Sequence, residues 1–187
     1  MSILLTILTI FSSFLLNLEQ KTLQSDFTVT VAEEVNAPMN YPGTITMQGK
    51  CFALTMFGVE AAYDGKTLYM YNAEVDELTL SNPTEQELLE ANPFLYAKAL
   101  VDVCNITERP INNGDQTLVT LTPKDQSIGI KRFTLKIKNT NLMPLQVEIK
   151  EGKQTTTLKL TKPAFVTTKQ TYTITPDKDT YVNDMRY

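Results

Sequence analysis

Histidine and tryptophan are absent from the 187 residues, and cysteine occurs only twice. Without histidine the chain cannot run a Ser-His-Asp or Cys-His relay, and the commonest zinc ligand is missing as well. It has no glycine-rich phosphate loop. A basic excess is lacking too: the net charge is −4 and the isoelectric point near 4.9, which argues against a nucleic-acid binder. Acidic residues gather at Glu74, Asp76 and Glu77 and again at Asp177 and Asp179. Both groups fall in turn-like sequence, without the regular spacing of a calcium loop or the pairing of an acid–base site. The expectation is a protein that is not an enzyme and uses neither metal nor cofactor.

A long apolar run is missing as well. Residues 3–16 are nearly continuous apolar sequence but too short for a membrane span, and they lack the basic start and small-residue cleavage site of a signal peptide. Read as a helix, they set Leu4, Leu8, Phe11, Leu15 and Leu18 on one stripe and Ser2, Thr6, Thr9 and Ser13 on another. A mature amphipathic helix is therefore favoured over residual signal sequence. No cysteine follows this run, so the expectation is a soluble shuttle rather than a lipid-anchored receptor. Cys51 sits in strand-like sequence and Cys104 beyond a helix, and both are expected to be free, partly buried thiols.

What the chain does have is short strands. Tyr63-Asp64-Gly65-Lys66-Thr67-Leu68-Tyr69-Met70-Tyr71 carries an Asp-Gly pair between two extended runs, which predicts a hairpin with a tight primed turn. Beyond it Leu68 and Met70 point to one face and Tyr69 and Tyr71 to the other, so the strand needs cover on both sides. Strands are expected at 26–31, 44–48, 51–57, 59–63, 66–72 and 77–80, with Pro38, Pro42 and Gly43 marking an early turn. The short connections make this an antiparallel meander. Two helix starts follow, Asn82-Pro83 ahead of Glu85 and Glu87, and Asn92-Pro93 ahead of Phe94, Leu95 and Leu100.

Alternation then returns. Phe133, Leu135 and Ile137 oppose Arg132, Thr134, Lys136 and Lys138, and Leu145, Val147, Ile149, Leu158 and Leu160 extend the dry side. From 120 to 170 there are ten basic residues against three acidic ones, so this span carries +7 and the remainder −11. A solvated outer face is the plain reading of these lysines, and a docking surface for an acidic partner the sharper one. The expected fold is mainly β with α. A curved antiparallel sheet forms an unclosed barrel, covered by the N-terminal helix (1–24) and the short internal helices, with 25–187 as the half-barrel of the same domain.

Several of these segments stand in the order and spacing of one family. They are Leu23-Gln24-Ser25-Asp26-Phe27, the Asp64-Gly65 hairpin, Asn92-Pro93-Phe94, Leu121-Thr122-Pro123-Lys124, Ile130-Lys131-Arg132-Phe133-Thr134-Leu135 and Tyr172-Thr173-Ile174-Thr175-Pro176. The chain resembles the periplasmic outer-membrane lipoprotein carrier (LolA) family. The resemblance implies a monomeric periplasmic carrier that shelters lipoprotein acyl chains, taking cargo from an inner-membrane lipoprotein-releasing transporter and giving it to an outer-membrane receptor. An arginine that latches the lid in the family is replaced within Met47-Gln48-Gly49-Lys50-Cys51-Phe52, where Lys50 lacks a planar fork of donors.

An acyl chain needs a dry, adaptable hollow, because each methylene is worth about 0.8 kcal/mol against water. Met47, Met56 and Met70, with Phe52 and Leu54, offer the flexible apolar side chains such a hollow uses, although methionine in strands also serves as ordinary packing. Phe52 matches an aromatic at the family's cavity mouth. Phe94, Leu95 and Leu100 stand on the helix that would close over the ligand, and Phe27, Phe133 and Leu135 complete the candidate lining. The rival reading is an interaction module of the same fold that senses lipid or lipoprotein without transporting it.

Overall fold

The computed structural model describes residues 9–33, 36–168 and 170–186. Helix α1 (Ile10–Gln20) begins where Thr9, with extended backbone, accepts a hydrogen bond from the Ser12 amide. Its buried stripe is Phe11, Phe14 and Leu18. Phe14 replaces Leu15 at the centre of the expected stripe, and Leu4 and Leu8 lie outside the described residues. The helix stops at Gln20, and strand β1 (Thr22–Glu33) starts four residues before the expected Asp26.

Five more strands follow as a meander: β2 (Met39–Gln48), β3 (Cys51–Met56), β4 (Val59–Tyr63), β5 (Leu68–Asn72) and β6 (Glu77–Ser81). The primed turn is at Phe57-Gly58, with φ of 58° and 73°, between β3 and β4. Asp64-Gly65 does something else. The loop 64–67 is held by Asp64 Oδ1, which accepts from the amides of Lys66 and Thr67 at 2.8 Å each, and only Gly65 has positive φ. A short acceptor side chain supplies the turn here, so the primed geometry expected at this hairpin is not needed.

Helices α2 (Glu85–Ala91) and α3 (Pro93–Ala99) interrupt the strands. The cap of α2 is Thr84 rather than Asn82: Thr84 and Glu87 bond reciprocally as a capping box. Asn92 caps α3 as expected, accepting from the amides of Phe94 and Leu95 while its amide nitrogen faces the Met47 sulfur at 3.6 Å. A second meander, β7 (Cys104–Ile111), β8 (Gln116–Pro123), β9 (Arg132–Lys138), β10 (Met143–Glu151) and β11 (Gln154–Val166), returns to pair with β1. The pair β7 and β8 was not anticipated.

The result is one curved sheet in the order β12-β6-β5-β4-β3-β2-β1-β11-β10-β9-β8-β7, not closed into a barrel. Every neighbour pair is antiparallel except β12 (Tyr181–Asp184), which lies parallel to β6 and is anchored by Tyr181 N to Asp76 O and Met185 N to Leu80 O. The C-terminal stretch reaches that edge by way of Thr168, whose carbonyl accepts from the Thr22 hydroxyl. In β10 the expected inward Leu145 is bulged: Pro144 pairs with Ile137 and Gln146 with Lys136, so Pro144 and Val147 are the buried residues.

The helices sit in the concave side. α1 crosses it, its Phe11 amide donating to the Glu108 carboxylate on β7 and its Leu18 carbonyl accepting from the Gly49 amide at the β2–β3 turn. Phe14 meets Phe94 with ring centres 5.9 Å apart, Tyr96 meets Phe133 edge-on at 6.3 Å, and Lys98 pairs with Glu19. These contacts tie α1, α3 and the middle of the sheet into one apolar layer. At the described residues no helix is long and apolar enough to cross a membrane.

Candidate functional site: an apolar hollow beneath the second helix

Strand register decides which part of the concave face is filled. Leu23, Met47, Phe52, Tyr63 and Leu68 stand side by side across β1–β5, all buried. With Phe94, Leu95 and Leu100 they pack solidly beneath α1 and α3. Two and four residues further along the strands, at Ile45–Leu54 and Gly43–Met56, the cover changes to α2, which buries none of its side chains fully. Packing is incomplete there.

The consequence is a hollow of about 570 Å³. Phe27, Val29, Ile45, Leu54 and Met56 form one wall and Val147, Ile149 and Leu158 the other. Leu89, Ala91, Pro93 and Tyr96 make the roof, with Ile128 and Gly129 beside them. Polar groups are confined to Gln86, Glu90, Glu151, Thr156 and the Tyr96 hydroxyl. The volume falls within the roughly 300–1,000 Å³ usual for pockets that enclose a small ligand.

Of the eleven candidate residues, Phe27, Leu54 and Met56 line this space. Met47, Phe52, Phe94, Leu95, Leu100, Phe133 and Leu135 are buried in the filled layer and do not reach it. Phe52 is accordingly a core aromatic against Tyr63, at 6.0 Å between centres, and not a residue of the mouth. Met70 shares the face of Leu54 and Ala61 but lies two strands beyond the helices, and is 44% exposed.

The lining that sequence reasoning left out is Val29, Ile45, Leu89, Ile128, Tyr96, Val147, Ile149 and Leu158. Alternation had already put the last three on the dry side. What was missing was the pairing of Val29 with Leu158, and of Leu158 with Val147, which carries both walls to the same place.

Glu90, held by a 2.9 Å bond from the Gln86 amide, and Glu151, at the end of β10, stand near Tyr96. Burial pushes the Tyr96 hydroxyl above its ordinary range, and the nearby Glu151, Cys104 and Glu90 push it the same way, so the phenol stays protonated. Cys51 and Cys104 are free thiols, each raised chiefly by burial. Among the described residues, no cluster of His, Cys, Asp or Glu is placed to hold a metal ion.

Comparison with known proteins places this arrangement. An uncharacterized conserved protein from Thermus thermophilus superposes with a TM-score of 0.60 at 14% identity, over 94% of this chain and 99% of its own. The LolA superfamily protein NE2245 from Nitrosomonas europaea aligns over 82% of this chain and 92% of its own, with 13% identity and a TM-score of 0.39. The Mycobacterium tuberculosis lipoprotein LppX aligns over 88% and 98%, with 14% identity and a TM-score of 0.40. At these identities the first similarity speaks for the fold alone. No curated protein matches the chain in sequence. The profile of the outer membrane lipoprotein carrier protein LolA matches residues 62–182, more than half of the length, and the chain belongs to the LolA family.

Proposed function

We propose that the protein is a periplasmic carrier that holds the acyl chains of lipoproteins in the hollow beneath α2 and delivers them to the outer membrane. The observation that carries this reading is the apolar space of about 570 Å³ left open between two strand walls and a loosely seated helix. At about 0.8 kcal/mol per methylene, a sixteen-carbon chain is worth roughly 12 kcal/mol against water, so a carrier has to exclude water along most of it. Walls of Phe, Leu, Ile, Val and Met do so without fixing one ligand shape.

α3 is fixed by Asn92 and three buried side chains, whereas α2 rests on the core only through the partly buried Leu88, Leu89 and Ala91, so entry runs beneath α2. The protein acts as a monomer, without catalysis or cofactor. It receives cargo from an inner-membrane lipoprotein-releasing transporter and passes it to an outer-membrane receptor, as membership of the family suggests.

The test is transfer. Protein loaded with a purified triacylated lipoprotein is mixed with a second, tagged acceptor, and the distribution of cargo is followed by native mass spectrometry. Cargo should move to the acceptor, and Leu54→Gln should reduce loading by an order of magnitude or so. Cargo retained on the protein in the presence of acceptor would favour a sensor, and failure to load at all would end the proposal.

A further inference from the structure

The charged residues among the described lining of the hollow are all of one sign. Among its described lining residues there is no lysine or arginine, while Glu90 and Glu151 stand at its edge, both exposed, one on the roof helix and the other at the end of β10. Their common reach is marked by Tyr96, a lining residue whose hydroxyl feels both carboxylates. A cleft with low-dielectric walls and fixed charges of a single sign concentrates its field on whatever occupies the opening. When an acyl chain lies along Phe27, Leu54, Val147 and Leu158, its polar end comes to rest at that opening.

From this we infer that the hollow selects its ligand by head-group charge: it accepts acyl chains ending in a neutral ester or amide, or in a cation, and rejects free fatty-acid anions. This inference rests on the acyl-carrier reading and deepens it. A fatty-acid carboxylate at the mouth would meet two like charges and, among the described lining residues, no cation to pair with, so the lining would desolvate it in part without compensation. An ester meets no such repulsion, and the protonated Tyr96 hydroxyl is available as a neutral donor. Selection of this kind would keep the carrier free of detergent-like fatty acids released by lipid turnover while leaving it open to chains linked to a larger molecule.

The experiment displaces a neutral fluorescent probe, N-phenyl-1-naphthylamine, from the full chain with three twelve-carbon ligands below their micelle concentrations. These are dodecyltrimethylammonium, monododecanoylglycerol and dodecanoate, at pH 8 and low salt. The cation and the ester should displace the dye at concentrations about tenfold below dodecanoate. The exposed pair of substitutions Glu90→Gln and Glu151→Gln should bring the cation and dodecanoate within about threefold of each other, because the charge is removed and the shape kept.

The double variant is what separates this inference from the simple reluctance of a carboxylate to leave water, which the variant would not change. Equal displacement by all three ligands in the wild type overturns the inference and leaves the carrier reading standing. So does an unchanged ratio in the double variant. If none of the three displaces the dye, the acyl-binding reading fails as well.

Discussion

Gly43→Ala is the substitution whose effect the structure specifies most closely. Gly43 pairs with Phe27 on one side and Met56 on the other, in the row of residues that forms one wall of the hollow. A β-carbon built there would stand 2.6 Å from the Cε2 atom of the Phe27 ring and 2.6 Å from the Thr55 carbonyl oxygen. Carbon atoms prefer roughly 3.5–4.0 Å, so the ring carbon is about 1 Å too near, and the carbonyl oxygen is also inside van der Waals contact. The ring could give way only by swinging into the hollow it lines, at the cost of its seat in the wall, and the carbonyl belongs to the strand backbone and cannot give way.

Overpacking of this kind costs about 1–3 kcal/mol. Against that, alanine restricts the unfolded chain and returns roughly 0.4–1 kcal/mol. The net expectation is a loss of about 1–2 kcal/mol, read as a fall in melting temperature of roughly 2–8 °C for a chain of this size. Differential scanning calorimetry measures it. Phe27→Leu in the same background removes the flat ring but leaves the Thr55 carbonyl, so the double variant should lose at least about 0.5 kcal/mol less than the two single losses added together. A Gly43→Ala protein within 0.5 kcal/mol of wild type, or strict additivity in the cycle, would refute the close seating of Phe27 on the glycine.

Other outcomes follow from the same contacts. Asn92→Ala removes the acceptor of two helix-start amides in a buried place and should destabilise the protein by about 1–2 kcal/mol in urea titrations. Arg186 holds the Asp184 carboxyl at about 2; for Asp64, hydrogen bonds from Thr67, Lys66 and Tyr69 outweigh desolvation and hold it low. Carboxyls depressed in the fold stabilise it above the unfolded value of about 4 and lose that effect as the pH falls through the folded value. The urea midpoint should therefore be level above about pH 5 and decline from 4 toward 2, more shallowly in Asp64→Asn; a midpoint unchanged at pH 3 would contradict this. With both thiols raised by burial, Ellman's reagent should react slowly at pH 7 and sooner at half-buried Cys51 than at Cys104; immediate reaction of both would be incompatible with the packing. Finally, Met70→Gln should leave lipid-probe affinity unaltered, because Met70 lies outside the hollow.

Local signals in the chain gave the right answer where one residue decides the outcome alone. Asn92-Pro93 starts α3, and β4 occupies 59–63, because caps, prolines and short alternating runs act within a few residues. The α2 start shows two local signals in competition: Asn82-Pro83 offers a cap, but Thr84 with Glu87 three residues later satisfies two backbone donors reciprocally and prevails. β7 escaped notice because Cys-Asn-Ile-Thr-Glu-Arg-Pro-Ile has almost no apolar alternation, being an edge strand. Leu145 was misplaced by a bulge that alternation cannot foresee. The site was legible only in its residue types. Met47 and Met56 look alike in sequence, yet one lies beneath α3 and the other beside α2, a difference set by which helix covers which end of the strands.

The long seam between β1 and β11 has a consequence for how the molecule is made. Each meander pairs neighbours close in the chain and can assemble early, but β1 must wait for a partner more than 120 residues downstream, which gives the topology a high contact order and slow final closure. Until that partner emerges, one edge of β1 is open along its full register from Thr22 to Glu33, a stretch of bare backbone donors and acceptors. Newly made chains should be most prone to aggregate in that interval, and most in need of a holding chaperone then.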